Sequence, residues 1–489
     1  MKQLSQFMPH HMKSSIALLL LACLMAVGCN SDIEPSSTSG TSGTNTSGGT
    51  SGGTGGNTGG GTDSGNSDGD VGNGQYSLTL SNNNLNLNEG SAISVDIQVR
   101  RSNGYAGKVS LALAGASPAD LDKIGWQFSD SEIESDETNT RLTLNLDYGP
   151  LPAQRDSRTL RIVGTDGRNQ SVAVLNIQTV PTSLPDVYLL IGQSNMVGAS
   201  EFNAKQAAPG QPDAPVNNVI MQLNVTGNDG QNFDSIAAFK SESNIAVGVQ
   251  LFTPALDPLH EGFNSSISGK EGTRIGMGLS FAKRAISDTQ APQIILIPAA
   301  WSNTGFCQVE DRALFPGMLG WNATTPSNPA LSGTLLHDRA IARTDLALRE
   351  SGGILRGILW HQGETDSNNA ACAQSYAQNL AKMVRSLRSK IRPDARGTQA
   401  RGPNANIPFV VGSMSRGGDY VDFSDTKTLV HEAHVNISQI VPFSAFVTND
   451  DLIPPDYPCG DGDCIHFGST SLRLMGSRYY DFLIQAATQ

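Results

Sequence analysis

Apolar residues follow two different regimes along this chain. Between about Tyr76 and Val180 they alternate with polar ones: Ile93, Val95, Ile97 and Val99, then Val109, Leu111 and Leu113, then Leu142, Leu144 and Leu146, then Leu160 and Ile162. A period of two puts one face of an extended strand in a core and the other in water. Turn-forming stretches such as Ser102-Asn103-Gly104 and Thr165-Asp166-Gly167 separate the runs. Several short strands of this kind in about 100 residues predict a small all-β sandwich, immunoglobulin-like, over residues 75–180. Beyond Pro181 and Pro185 the apolar residues come instead in unbroken runs: Val187 to Ile191, Ile294 to Ile297, Ile354 to Trp360, Phe409 to Val411 and Ala445 to Val447. Unbroken runs mark strands buried on both faces. Gly278 to Ile286, Leu335 to Leu348 and Ser375 to Ile391 lie between them and read as amphipathic helices. Strand–helix alternation over residues 181–489 predicts an α/β domain, a parallel sheet covered by helices on both faces in three layers. Chemistry in such folds gathers at the C-terminal ends of the strands.

The N-terminal segment obeys neither regime. Lys2 and Lys13 accompany an apolar run, Ile16 to Val27, which is too short to span a bilayer comfortably and reads as an export signal. The run ends in Ala26-Val27-Gly28-Cys29, which resembles the bacterial lipobox. That resemblance implies a lipoprotein signal over 1–29, with Cys29 acylated as the first mature residue. Asn30 stands where an inner-membrane retention signal would place Asp, which favours an outer-membrane lipoprotein facing the periplasm or the cell surface. Residues 30–74 are nearly all Gly, Ser, Thr, Asn and Asp, too poor in apolar surface to fold, and are expected to form a disordered linker spanning about 35–40 Å. The net charge of −12 argues against a nucleic-acid partner, and membrane contact is expected through the lipid alone.

The first strand of the α/β region runs into Gly192-Gln193-Ser194-Asn195-Met196. A serine just past a buried strand can present its hydroxyl in a sharp turn, beside outward-facing backbone N–H groups suited to an oxyanion. Far along the chain, Asp463-Cys464-Ile465-His466 precedes a helical stretch from Ser469 to Ile484. A serine needs a base to become nucleophilic, and the base needs a carboxylate to fix its tautomer; Asp-x-x-His supplies both. Trp360-His361-Gln362-Gly363-Glu364-Thr365-Asp366 follows another strand and adds an amide and a carboxylate. His431-Glu432-Ala433-His434 lacks the spacing of a zinc-protease helix and reads as a solvent-facing helix turn, so no metal is expected.

Together the segments GQSNM, WHQGE and DCIHFGSTSLRLMGSRY resemble the sialate O-acetylesterase family and carbohydrate esterase family 6, within the SGNH-hydrolase group, over about 186–489. The resemblance implies a serine esterase acting on O-acetyl carbohydrates through an acetyl-enzyme, without cofactor. It matches Ser194 to the nucleophile, His466 to the base and Asp463 to the orienting acid, with Glu364 competing for that last role. It matches Gln362 to an amide near the oxyanion. Where relatives carry a Gly-rich turn after the strand at Ile294, this chain has Trp301-Ser302-Asn303-Thr304-Gly305, so Asn303 becomes a candidate donor. Gln193, Asn195 and Glu364 complete the candidate oxyanion or substrate contacts. A rival reading is a non-catalytic glycan-binding surface lipoprotein with a degenerate esterase fold. The sandwich, which lacks Cys and His, reads as a spacer or a weak sugar-binding module, the spacer being favoured.

Once Cys23 leaves with the signal and Cys29 takes the lipid, four cysteines remain for an oxidising compartment. Cys307–Cys372 and Cys459–Cys464 are the expected disulfides, one of three connectivities.

Overall fold

The computed structural model describes residues 75–114, 124–198, 200–201, 204–224, 250–260, 274–289, 291–307, 320–323, 336–391, 406–416, 423–454 and 463–489. The expected signal, Cys29, the Gly/Ser/Thr tract and Cys459 lie outside the described residues. Among those described, no helix is long and apolar enough to cross a membrane.

Among the described residues, nine strands precede residue 181: β1 (Tyr76–Leu80), β2 (Asn84–Asn88), β3 (Ser91–Arg101), β4 (Val109–Ala114), β5 (Ile124–Phe128), β6 (Glu132–Ile133), β7 (Asn139–Leu146), β8 (Asp156–Thr165) and β9 (Gln170–Val180). They form two sheets, in the orders β1-β3-β7-β5 and β2-β9-β8-β4-β6, with antiparallel pairing except between β2 and β9. The alternation explains the arrangement. Val95, Ile97, Val99, Leu142 and Leu144 from one sheet share a single core with Leu160, Ile162, Leu175 and Ile177 from the other.

After Pro185 come β10 (Asp186–Gly192), β11 (Ser200–Glu201), β12 (Ile220–Leu223), β13 (Phe252–Pro254), β14 (Arg274–Ile275), β15 (Ile294–Ala300), β16 (Ile354–His361), β17 (Phe409–Gly412) and β18 (Ser444–Val447). β11 and β14 make a small antiparallel pair. The other seven form one sheet, ordered β13-β12-β15-β10-β16-β17-β18, with β13 antiparallel at the edge and the rest parallel. Every residue of β10, β15 and β16 is buried. Val187, Leu189 and Ile191 face a core shared with the helices Leu336–Ser351, Ala370–Lys390 and Asp425–Val435. Tyr188 and Leu190 face a second core with the helices Gly278–Asp288 and Ser469–Ala487. The chain leaves central β10 toward one edge and returns at β16 on its other side. The carboxyl end of β10 therefore lies at the point where strand order reverses, the place such sheets open a crevice.

At the opposite, amino end of the sheet, Arg356 is buried between Asp186 of β10 and Glu89 of the sandwich. Its Nε donates to Asp186 Oδ1 at 2.7 Å, and its Nη1 to Glu89 Oε1 at 3.0 Å and to the Gly149 carbonyl at 2.6 Å. Burial opposes the guanidinium charge, but the two carboxylates outweigh it and keep Arg356 charged. This ion triad ties the sandwich to the base of the parallel sheet.

Candidate active site

β10 ends at Gly192, whose φ of +135° and closeness to β16 exclude a side chain: a Cβ there would stand 2.1 Å from the His361 carbonyl oxygen. Gln193 N–H then donates to that same carbonyl at 2.9 Å, and the chain turns into a single helical turn, Ser194–Val197. The close approach of two backbones thus lifts Ser194 half-buried to the sheet's edge.

His466 arrives from the loop before the last helix. Its Nε2 is 2.9 Å from Ser194 Oγ, and its Nδ1 is 2.7 Å from Asp463 Oδ2. An ionised carboxylate can only accept, so Nδ1 carries the hydrogen and Nε2 faces the hydroxyl as an acceptor. Burial raises the Asp463 carboxyl, but the hydrogen bonds from His466 and from the Ile465 and His466 N–H groups outweigh it and hold it at about 2. Hydroxyl, imidazole and carboxylate therefore lie in series.

Glu364, the competing acid, is placed elsewhere. Its Oε1 accepts from Asn195 Nδ2 at 2.8 Å and lies 4.0 Å from His361 Nε2. Asn195 is buried and fully used: Nδ2 also donates to the Ile465 carbonyl at 3.2 Å, and Oδ1 accepts from Phe467 N–H at 3.1 Å. The residue after Ser194 therefore grips the chain on both sides of His466. Asn195 and Glu364, expected to contact substrate or oxyanion, instead turn toward each other and the loop that carries His466, and Glu364 Oε2 is buried with no hydrogen-bond partner among the described residues.

Gln362 also departs from expectation. It is buried, and its Nε2 meets three acceptors, Asp366 Oδ2 at 2.7 Å, Gln193 Oε1 at 3.1 Å and the Thr304 carbonyl at 3.1 Å. Two amide hydrogens are already oversubscribed, so none is left for an oxyanion. Asn303, by contrast, stands exposed after β15 in a left-handed conformation, φ +59°. Its strand is joined to the serine strand by a Trp301 N–H to Gly192 carbonyl bond of 3.1 Å.

Asp366 was singled out by no sequence signal. It is buried, and accepts from Phe306 N–H at 3.0 Å and Cys307 N–H at 3.2 Å as well as from Gln362. Burial pushes its carboxyl up to about 6 against those bonds. The adjacent Cys307–Cys372 disulfide is formed, and Cys464 is also disulfide-bonded. Cys307, Asp366 and Cys372 offer metal-ligand atom types within 4.8 Å of one another, but both sulfurs are spent in the disulfide. His434, expected to face solvent, is instead buried, with Nε2 2.9 Å from Tyr376 Oη, and burial drives its pKa well down.

A family model described as carbohydrate esterase, sialic acid-specific acetylesterase, matches residues 185–485. An Arabidopsis thaliana protein named "Probable carbohydrate esterase At4g34215" is 24% identical over 165 residues, which is 33% of this chain and 51% of that protein. The chain thus spans about half the length of this curated relative. A solved structure of that Arabidopsis protein covers 62% of this chain and 98% of its own, at 20% identity and a TM-score of 0.41. Domains 4 and 5 of the S-layer protein SbsC cover 21% of this chain and 51% of their own, at 13% identity and a TM-score of 0.16.

Proposed function

Since this chain belongs to the carbohydrate esterase family of sialic acid-specific acetylesterases, we propose that it hydrolyses O-acetyl esters of carbohydrates, with Ser194 as nucleophile, His466 as base and Asp463 as orienting acid. The observation that carries this reading is the unbroken contact series from Asp463 through His466 to Ser194. Neutral His466 takes the Ser194 proton at Nε2 as Oγ attacks the acetyl carbonyl. The tetrahedral oxyanion is met by the Ser194 N–H and a donor from the Asn303 turn. Collapse expels the sugar alkoxide, which takes the proton from His466, and leaves Ser194 acetylated. Water, deprotonated by the same imidazole, then releases acetate and restores the serine. Acetylated xylan, acetylated sialic acid and other acetyl sugars are the substrate candidates.

The test is hydrolysis of a chromogenic acetate ester by the chain without its signal, beside Ser194→Ala, followed by acetate release from a panel of acetylated glycans. Ser194→Ala should lose activity by at least about 10³-fold. Equal rates from the two proteins would leave the glycan-binding alternative in possession. The lipobox-like run ending at Cys29 supports an outer-membrane lipoprotein, with residues 30–74 as tether and 75–180 as spacer. Incorporation of labelled palmitate that persists in Cys29→Ala would remove that part.

A further inference from the structure

We infer that Gln193 supplies a catalytic hydrogen-bond donor, its side-chain Nε2, to the oxyanion, and that Gln362 and Asp366 are positioning residues that aim it. This rests on the esterase reading above. The orientations of both amides follow from partners that can play only one role. Thr365 N–H, which can only donate, meets Gln193 at 3.3 Å, so the atom there is Oε1; Gln362 Nε2 donates to the same oxygen at 3.1 Å. With its oxygen held inward by two donors, the Gln193 amide turns Nε2 the other way. That nitrogen makes no hydrogen bond among the described residues and is not sealed from solvent, although the rest of the side chain is buried. It belongs to the residue directly before Ser194.

Gln362 is fixed in the same manner. The Thr304 carbonyl and the Asp366 carboxylate can only accept, so Nε2 faces them, while Tyr376 Oη lies 2.9 Å from Oε1 and donates to it. Asp366 selects this orientation most strongly, because the reversed amide would set oxygen against three acceptors. Orientation therefore passes from Asp366 to Gln362 to Gln193. A freely turning Gln193 would present oxygen to the oxyanion about as readily as nitrogen, and a locked donor costs no reorganisation when charge develops. The Asp366 carboxyl, raised by burial to about 6, makes the lock weaken as pH falls through that value.

Gln193→Glu keeps the acceptor oxygen and removes only the donor; Gln193→Met, neutral and equally long, controls for the added charge. Both should lower kcat by about 10²–10³-fold, with KM changed less than about threefold and the thermal midpoint near that of the parent. Asp366→Asn, whose amide nitrogen confronts Gln362 Nε2, should lower kcat at least about tenfold alone. It should have little further effect in the Gln193→Glu background, because residues acting through one group are not additive. If both folded Gln193 variants keep kcat within threefold of the parent, the donor is elsewhere and the inference falls. If the Asp366→Asn loss multiplies undiminished in the double variant, Asp366 acts only on structure and the relay falls. An inactive parent chain, or one matched by Ser194→Ala, sinks the esterase reading and this inference with it.

Discussion

Asp463→Asn and Glu364→Gln together separate a triad acid from a strut. In Asp463→Asn the side-chain oxygen can still accept the Ile465 and His466 N–H groups, now 3.0 and 3.1 Å from Oδ1. The amide nitrogen then faces His466 Nδ1, and two donors cannot meet. The imidazole must shift to the tautomer with hydrogen on Nε2, which points at Ser194 and can take no proton. Such a change costs about 10⁴ in kcat, or about 5.5 kcal/mol of transition-state stabilisation. The ground-state loss is much smaller. Holding Asp463 at about 2 rather than 3.8 corresponds to about 2.5 kcal/mol, which solvent screening of a side chain 35% exposed reduces to about 1 kcal/mol. Because the folded-state carboxyl is depressed, that stability is present above about pH 4 and is lost as pH falls through about 2. Glu364→Gln can still accept from Asn195 Nδ2 through Oε1, so kcat should fall less than tenfold. Steady-state hydrolysis of an acetate ester at pH 7, with urea unfolding of each variant, measures both quantities. Equal losses in the two variants, or Asp463→Asn within tenfold of the parent, would refute the assignment.

Three further perturbations address the frame. Gly192→Ala should fail to accumulate as folded, active protein, since its Cβ would sit 2.1 Å from the His361 carbonyl oxygen at φ +135°; normal soluble yield and kcat would contradict this. Cys372→Ser opens a disulfide spanning 65 positions and should lower stability by about 4 kcal/mol in the chain-entropy model, read by urea unfolding against the oxidised parent. Arg356→Met strands the buried Asp186 and Glu89 carboxylates and should cost about 3–5 kcal/mol, with KM for a small acetate ester unchanged. An unfolding midpoint equal to the parent's would show that the triad contributes nothing net.

The central strands were legible because they are buried on both faces, which leaves short unbroken runs such as Val187 to Ile191 bounded by Pro185 and Gly192. β12 and β13 escaped notice: the short Ile220–Leu223 is interrupted by the buried polar Gln222, and Phe252–Pro254 lies at the sheet edge and ends in proline. The stretch His431 to His434 reads as a solvent-facing helix turn, and it does lie in the helix Asp425–Val435, but His434, polar in the sequence, is one of that helix's buried residues. Side-chain direction was the least legible property. Asn195, Gln362 and Glu364 all lie beside Ser194 in space, yet each turns inward to partners whose identity depends on the tertiary fold. The Arg356 triad was invisible for the same reason, its carboxylates standing 170 and 267 positions away.

The turn at Ser194 also explains why three distant strings of sequence behave as one feature. The proposed hydrolysis draws on the Ser194 hydroxyl and N–H and on the Gln193 amide of that turn, yet each neighbour of Ser194 is also committed to another segment. Gly192 allows contact with the His361 backbone, Gln193 accepts from Thr365 and Gln362, and Asn195 holds Ile465 and Phe467 around His466. The proposed nucleophile, base and oxyanion donors come from strand ends and loops that share no local constraint. A displacement of about 1 Å between them is worth about 10²-fold in rate. A glycine, two buried amides and the bonds they make remove that freedom at the one place where all the segments meet. The polar residues around Ser194 are thus required by geometry as much as by chemistry, which is why a degenerate site would be free to lose them first.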